Sequence, residues 1–238
     1  MSLNKELIKQ GNILFRYRSY LPLVLYPLLL FFNIAKHEPI YNLNNLMMGL
    51  IISYFGELIR IVTIAYVPSN TSGRNTRKQT ANSLNSTGIY SLVRHPLYLG
   101  NYFILLGPFF IFPQISLIVI YTLLFWIYYE RIMFAEEDYL RNKFKDDFTN
   151  WARGIPAFFP KFSNYVKPSG DFSLSRVIKR EYTGLCGIIF MFFFLMLSFE
   201  YLHEVEIPIN EMLTHGLIIN AIVYLTLRTY KKISKINK

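Results

Sequence analysis

Apolar residues along this chain come in long blocks rather than in alternation, and polar, basic or turn-forming stretches separate the blocks. Six stand out, at 20–35, 46–67, 97–113, 115–129, 184–199 and 212–227. A helix needs roughly 20 apolar residues to cross a hydrocarbon core of about 30 Å, so most blocks lie near the lower limit and must anchor their ends with Tyr, Trp or snorkelling basic side chains. The pattern predicts an all-α, polytopic integral-membrane protein of about six transmembrane helices, forming a single membrane-embedded domain over 1–238. The first block reads as a retained span and not as a signal peptide. A long polar region precedes it, and Asn33, Ile34, Ala35 and Lys36 offer no small-x-small cleavage site.

Two polar stretches are long enough to do more than connect helices. "PSNTSGRNTRKQTANSLNSTG" at 68–88 is basic and rich in turn formers, and reads as a loop. In the second, at 130–181, the apolar pattern returns on helical spacing. Glu136, Leu140, Phe144, Phe148 and Trp151 follow at steps of four and three, which predicts one helix face ending at the breakers Gly154 and Pro156.

Composition agrees with a membrane protein, 53% of the residues being aliphatic, aromatic or cysteine. The net charge of +10 raises the question of nucleic acid, but the basic residues follow topology instead. With a cytosolic N-terminus and six spans, all 25 Lys and Arg except Lys36 and Arg60 fall on the cytosolic side, while Glu200, Glu204, Glu206 and Glu211 mark the last outer loop. Both termini are thus expected in the cytosol, and no nucleic-acid partner is expected. The tail "RTYKKISKINK" suits topogenic signals or anionic headgroups. The single cysteine, Cys186, lies inside an apolar block, which excludes an intrachain disulfide and leaves a small buried residue as its reading.

Chemistry gathers around "GIYSLVRHPLYLGN" at 88–101. Proline suits the first turn of a helix, and Arg94 and His95 could simply snorkel at a boundary. Arg94, His95, Tyr98 and Tyr102 nevertheless recur at helical steps, with Gly100 permitting close approach of backbone or ligand. Glu136 heads the apolar face described above with Glu137 beside it, and a carboxylate on a packed face needs a cation; Arg131 lies five residues earlier, next to Glu130. Glu57 and Arg60 lie inside the second span and could pair with each other or mark a functional site. His37, His203 and His215 sit at span ends, and no His, Cys and carboxylate group has metal spacing.

The segments "RHPLYLGN" from Arg94 and "ERIMFAEEDYLRNKFKDDFTNWARGIPAFFP" from Glu130 together resemble the integral-membrane methyltransferases related to isoprenylcysteine carboxyl methyltransferase and phospholipid methyltransferase. The shared pattern is R-H-P-x-Y-x-G, a span, then E-E-x-x-L, an aromatic-rich helix and an I-P turn. This chain departs where Lys145 stands for the usual glycine and where Phe148 and Trp151 stand for tyrosines. The resemblance implies a methyltransferase core at about 46–165, with an additional helix pair at about 182–228. It implies S-adenosylmethionine bound from the cytosol by Arg94, His95, Tyr98, Gly100, Glu136 and Glu137, and a lipid or lipidated acceptor arriving from the bilayer. Arg131 and Arg153 are the residues expected to orient an anionic acceptor. The layout resembles bacterial enzymes that methylate a lipid A phosphate, which implies a bacterial inner membrane; a prenylcysteine carboxylate and a phosphatidylethanolamine amine stay open. So do an NADPH-dependent membrane reductase and a transporter or assembly factor.

Overall fold

A computed structural model describes residues 2–21, 24–27, 29, 42–68, 79, 81–111, 114–203 and 210–236. Among them lie six named α-helices: α1, Leu3–Tyr17; α2, Leu43–Tyr66; α3, Pro96–Leu106; α4, Ile115–Gly154; α5, Leu174–His203; and α6, Asn210–Ile236. The described residues contain no β-strand, only one isolated bridge between Gly88 and Val166. The all-α expectation therefore holds. Three helices, Leu43–Tyr66, Ile115–Gly154 and Leu174–Leu202, are long and apolar enough to cross a membrane, and Pro96–Phe110 is a shorter apolar helix. Most of the predicted first span, 20–35, falls outside the described residues, and so does much of the loop at 68–88.

Local chemistry accounts for the helix limits. The Asn42 side chain accepts a hydrogen bond from the Asn44 backbone N–H at 2.8 Å and caps α2. Pro96 occupies the first turn of α3, where its missing N–H costs nothing. α4 stops at Gly154, two residues before Pro156, because a residue preceding proline is driven out of helical conformation.

Packing follows from glycines and aromatics. Gly49 and Gly56 of α2 meet Gly107 and Gly100 at the α3 side so closely that an added Cβ would strike backbone. This is how helices associate in a lipid-like medium, where close backbone approach replaces the hydrophobic drive. Tyr98, Phe109, Tyr121, Phe125 and Tyr129 fill the core between α3 and α4. Ile51, Leu58, Leu123, Ile127, Phe190 and Leu197 stay exposed on the outer faces of the long helices, as a lipid-facing surface requires. α1 was not foreseen from the sequence. It lies against α4, where Tyr128 donates to the Leu14 carbonyl at 3.0 Å and Arg131 to the Gln10 side chain at 2.9 Å. Cys186 is buried, and its carbonyl accepts from Asn220 of α6 at 2.9 Å.

α4 is really two helices joined at Lys145, whose φ of 48° and ψ of −115° fall outside the helical region. A non-glycine residue there is strained by roughly 1–2 kcal/mol. Lys145→Gly is expected to raise stability by up to about 1 kcal/mol, since glycine adopts this conformation freely but loses more entropy on folding. Denaturant unfolding in detergent, with Lys143→Gly as a helical control that should lose stability, checks the sign.

Candidate active site

Two chain segments meet to build the site. The stretch before α3 is held by the stretch after α4 through backbone bonds. Arg94 N–H donates to the Pro156 carbonyl at 2.9 Å, His95 N–H to Ala157 at 3.2 Å, Lys161 N–H to Leu92 at 3.0 Å, and Gly88 N–H to Val166 at 2.9 Å. Gly88 has φ of 64°, a conformation glycine adopts without strain. The turn at Ile155 and Pro156 thus fixes where Arg94 and His95 start α3.

That register brings both side chains onto the carboxylates of α4. Arg94 Nε is 2.9 Å from Glu137 Oε1, His95 Nε2 is 3.0 Å from the same oxygen, and His95 Nδ1 is 3.5 Å from Glu136 Oε2. Arg94 also donates to the Ala152 carbonyl at 3.1 Å, which ties the second arm of α4 to the cluster. The imidazole stacks on Tyr98 at 5.6 Å, and Tyr98 packs on Tyr129 at 4.9 Å.

Burial alone would lower the His95 pKa, but its contacts with Glu136 and Glu137 outweigh that and hold it above the ordinary 6.5. For Glu137, burial acts upward, while the His95 hydrogen bond and the charges of His95, Arg94 and Arg141 bring it below its ordinary 4.5. A raised imidazole contributes stability that is full below 6.5 and is lost as pH rises through its folded value. A depressed carboxyl contributes stability that is full above 4.5 and is lost as pH falls through its folded value. The cluster is therefore fully stabilising between these two ordinary values. On alkaline titration past 6.5 the wild-type melting temperature should decline relative to His95→Gln; parallel curves would show that the imidazole is not held protonated.

The cluster forms one wall of a cavity of about 560 Å³. That size suits a small-molecule ligand. Arg94, His95, Tyr98, Glu136 and Glu137 line it. Gly100 does not: it is buried against Arg60 and Gly56, so the close approach it permits is that of α2. Tyr102 also turns away, bonding to Thr122 at 3.0 Å. Arg131 and Arg153 lie outside the lining. The first is engaged with Gln10 of α1, and the second is exposed on the last turn of α4. The cation opposite Glu136 is His95, not Arg131.

A second charged group lines the same cavity from inside the apolar spans. Arg60 of α2 donates to both oxygens of Glu181, from Nε at 2.9 Å and from Nη2 at 3.1 Å, and to Asn101 at 2.7 Å. Its distance to Glu57 is 3.8 Å, so the pairing expected within α2 is the weaker contact. Asn101 in turn donates to the Tyr129 hydroxyl at 3.2 Å. Gly184 leaves room for the buried Glu57 carboxylate. The sequence flagged Glu57 and Arg60 as charges in an apolar run. Nothing local pointed to Glu181, 121 residues further on.

The phospholipid methyltransferase family profile matches residues 44–147, which contain Arg94, His95, Glu136, Glu137, all of α3 and all of α2 but its first residue. Over this stretch the chain is similar to that family.

Relatives of two kinds match parts of the chain. The protein-S-isoprenylcysteine O-methyltransferase of Xenopus laevis is 27% identical over 115 residues, covering 48% of this chain and 40% of the relative. The nickel-cobalt-cadmium resistance protein NccN of Alcaligenes xylosoxydans xylosoxydans is 38% identical over 93 residues, 39% of this chain and 42% of the relative. The cobalt-zinc-cadmium resistance protein CzcN of Cupriavidus metallidurans is 36% identical over 84 residues, 35% of this chain and 38% of the relative. In each case the match spans less than half of the relative's length. No solved structure gives a significant match. Within the matched segment lie both halves of the ion cluster; Trp151 and the α5 residues Arg180, Glu181 and Thr183 line the cavity from outside it.

Proposed function

We propose that this protein transfers a methyl group from S-adenosylmethionine to an anionic group on a membrane lipid or lipidated substrate, at the cytosolic side of a bacterial inner membrane. One observation carries the reading: Arg94 and His95 close onto Glu136 and Glu137 beside a cavity of about 560 Å³, between helices apolar enough to cross a bilayer. The residues fit the donor. Its ammonium and hydroxyl groups match the two carboxylates, and its carboxylate matches Arg94. When bound, it supplies a methyl carbon on a positively charged sulfur. The protein's part is to hold the reacting groups about 3–3.5 Å apart and to keep water out, which the aromatic packing of Tyr98 and Tyr129 favours.

An anionic acceptor needs no proton removed before it attacks, whereas an ammonium does. Arg18 and Arg180 line the cavity and bring positive charge toward such a group, the role the family resemblance had suggested for Arg131 and Arg153. A lipid A phosphate and a prenylcysteine carboxylate both satisfy this, and the isoprenylcysteine methyltransferase relatives favour the chemistry of the second. We take α5 and α6 as part of the same functional unit, since Glu181 reaches the cavity.

Calorimetric titration of detergent-purified protein with S-adenosylmethionine and, separately, NADPH tests the reading. Saturable binding of the first alone supports it. Binding of NADPH alone moves the protein to the reductases, and binding of neither by folded protein favours a transporter or assembly factor. Transfer of labelled methyl to vesicles carrying lipid phosphate, prenylcysteine or phosphatidylethanolamine then identifies the acceptor; label on the amine alone overturns the anionic assignment.

A further inference from the structure

The stretch that follows α4 carries a surface unrelated to the cavity. Between Phe159 and Leu174, six large apolar side chains are more than half exposed: Phe159, Phe162, Tyr165, Val166, Phe172 and Leu174. Phe159 and Phe162 reach 73% and 77%. Exposed apolar surface gathered in this way marks contact with another protein or with a membrane.

Place in the fold favours the membrane. Phe159 stacks on Trp126 of α4 at 6.3 Å, and the buried Phe158 meets the same indole edge-on at 5.6 Å. Trp126 lies in the apolar run of α4, four residues before its first charge at Glu130, which is about 6 Å along the axis. Phe159 is therefore level with the lipid-facing part of α4, where Leu123 and Ile127 are exposed. At the other end, Phe172 meets Tyr66, the last residue of α2, edge-on at 5.7 Å. Between these points the chain is bonded to the stretch that starts α3. It thus runs past three apolar helices at one membrane boundary.

Irregular backbone at such a boundary needs its polar groups met by protein. Val166 N–H donates to Ser91 Oγ at 2.9 Å, Ser169 N–H to Thr87 Oγ1 at 3.2 Å, and Ser173 N–H to the Ala65 carbonyl at 3.0 Å, beside the bonds of Lys161 and Gly88 given above. The charges suit the same place. Lys161 and Lys167 alternate with the aromatics, and Asp171 is the one acid between 156 and 174. Lysine stems lie along apolar surface while their ammonium groups reach out to phosphates, and aromatic rings collect at headgroup level.

We propose that residues 156–174 form an interfacial strap, lying in the headgroup and upper acyl layer of the bilayer with Phe159, Phe162, Tyr165 and Phe172 immersed and Lys161 and Lys167 on lipid phosphates. The strap withdraws from water a stretch that the charge pattern had assigned to the cytosol. The Pro156 and Ala157 carbonyls hold the N–H groups of Arg94 and His95, so the strap also fixes these two residues next to the bilayer surface, whichever reaction the cavity supports.

The test uses full-length protein in vesicles of phosphatidylcholine and phosphatidylglycerol. Cys186 is the single native cysteine, so on a Cys186→Ala background a nitroxide label goes to one introduced position at a time. Phe162→Cys and Phe172→Cys probe the strap, Leu123→Cys the lipid-facing side of α4, and Asp146→Cys the exposed second arm of α4. Labels at 162 and 172 should behave like the label at 123, colliding with membrane-soluble oxygen and losing the collisions with a water-soluble nickel chelate that the label at 146 shows. Nickel access equal to that at 146, at either strap position, overturns the proposal. A strap label shielded from both reagents overturns it too, and shows that another protein or a second copy of this chain covers the surface. All four labelled positions are exposed and leave the packed core intact. Should Cys186→Ala fail to fold, the same labels on protein that keeps Cys186, which is buried, give the same reading.

Discussion

Glu137→Ala is expected to weaken S-adenosylhomocysteine binding by at least about 100-fold while the protein remains inserted in the membrane. Glu137 is the hub of the cluster, since one of its oxygens faces both Arg94 at 2.9 Å and His95 at 3.0 Å. His95 is nearly inaccessible to water, and the Glu137 side chain is only 17% exposed. Removing the carboxylate takes Glu137 from Arg94 and leaves His95 with Glu136 at 3.5 Å, and breaking a buried pair in this way costs about 3–5 kcal/mol of stability. A 100-fold loss is about 2.8 kcal/mol of binding free energy, within the roughly 2–5 kcal/mol that truncating one partner of a buried charge pair costs at a binding site. Glu137→Gln keeps the shape and a hydrogen-bond acceptor and should lose less. Asp146→Ala, on the exposed part of α4, should bind as wild type does. Calorimetry on the three variants decides the matter. Wild-type affinity in Glu137→Ala would remove the cluster from the binding site.

The second large effect concerns stability. Glu181→Ala is expected to destabilise the protein by about 3–5 kcal/mol, because Arg60 would be left inside an apolar span without the carboxylate that accepts two of its hydrogen bonds. The Glu181 side chain is 1% exposed, so water cannot take over. Replacing both partners tells a different story. On a Glu57→Gln background, Arg60→Met with Glu181→Leu removes both charges together, and apolar side chains of similar volume often match or exceed a buried ion pair. The double variant should therefore be more stable than Glu181→Ala alone, a coupling that a double-mutant cycle in detergent would measure. A single variant within about 1 kcal/mol of wild type, or a double variant that is worse still, would show that the pair does not link α2 to α5.

The two charged groups differ in how far they could be read from sequence. Arg94, His95, Glu136 and Glu137 were legible because helical spacing and position at a span boundary leave a local trace. Their mutual contact was not, since it depends on backbone bonds from Pro156 and Ala157 that set the start of α3. Arg131 and Arg153, expected to orient the acceptor, lie outside the cavity lining. The family resemblance suggested them as donors to an anionic acceptor, but Arg131 turns toward α1, a helix that polar composition had concealed. Gly100 was read as permitting close approach, and the group approaching is α2 rather than a ligand.

Lys145 gives the clearest division of labour. Periodicity placed Glu136, Leu140, Phe144, Phe148 and Trp151 on one face of a continuous helix. The departure from glycine was visible at Lys145, but the break it sits in was not. The sequence by itself determined the helical class, the start of α3, the end of α4 and the candidate charges, because hydrophobic periodicity and proline act over a few neighbouring residues. Only the tertiary structure decided that Glu181 pairs with Arg60 and that His95 faces Glu136. It alone turned Trp151 toward a cavity. Such contacts join residues far apart in the chain, and their energy depends on helix crossing and register, which no local pattern encodes.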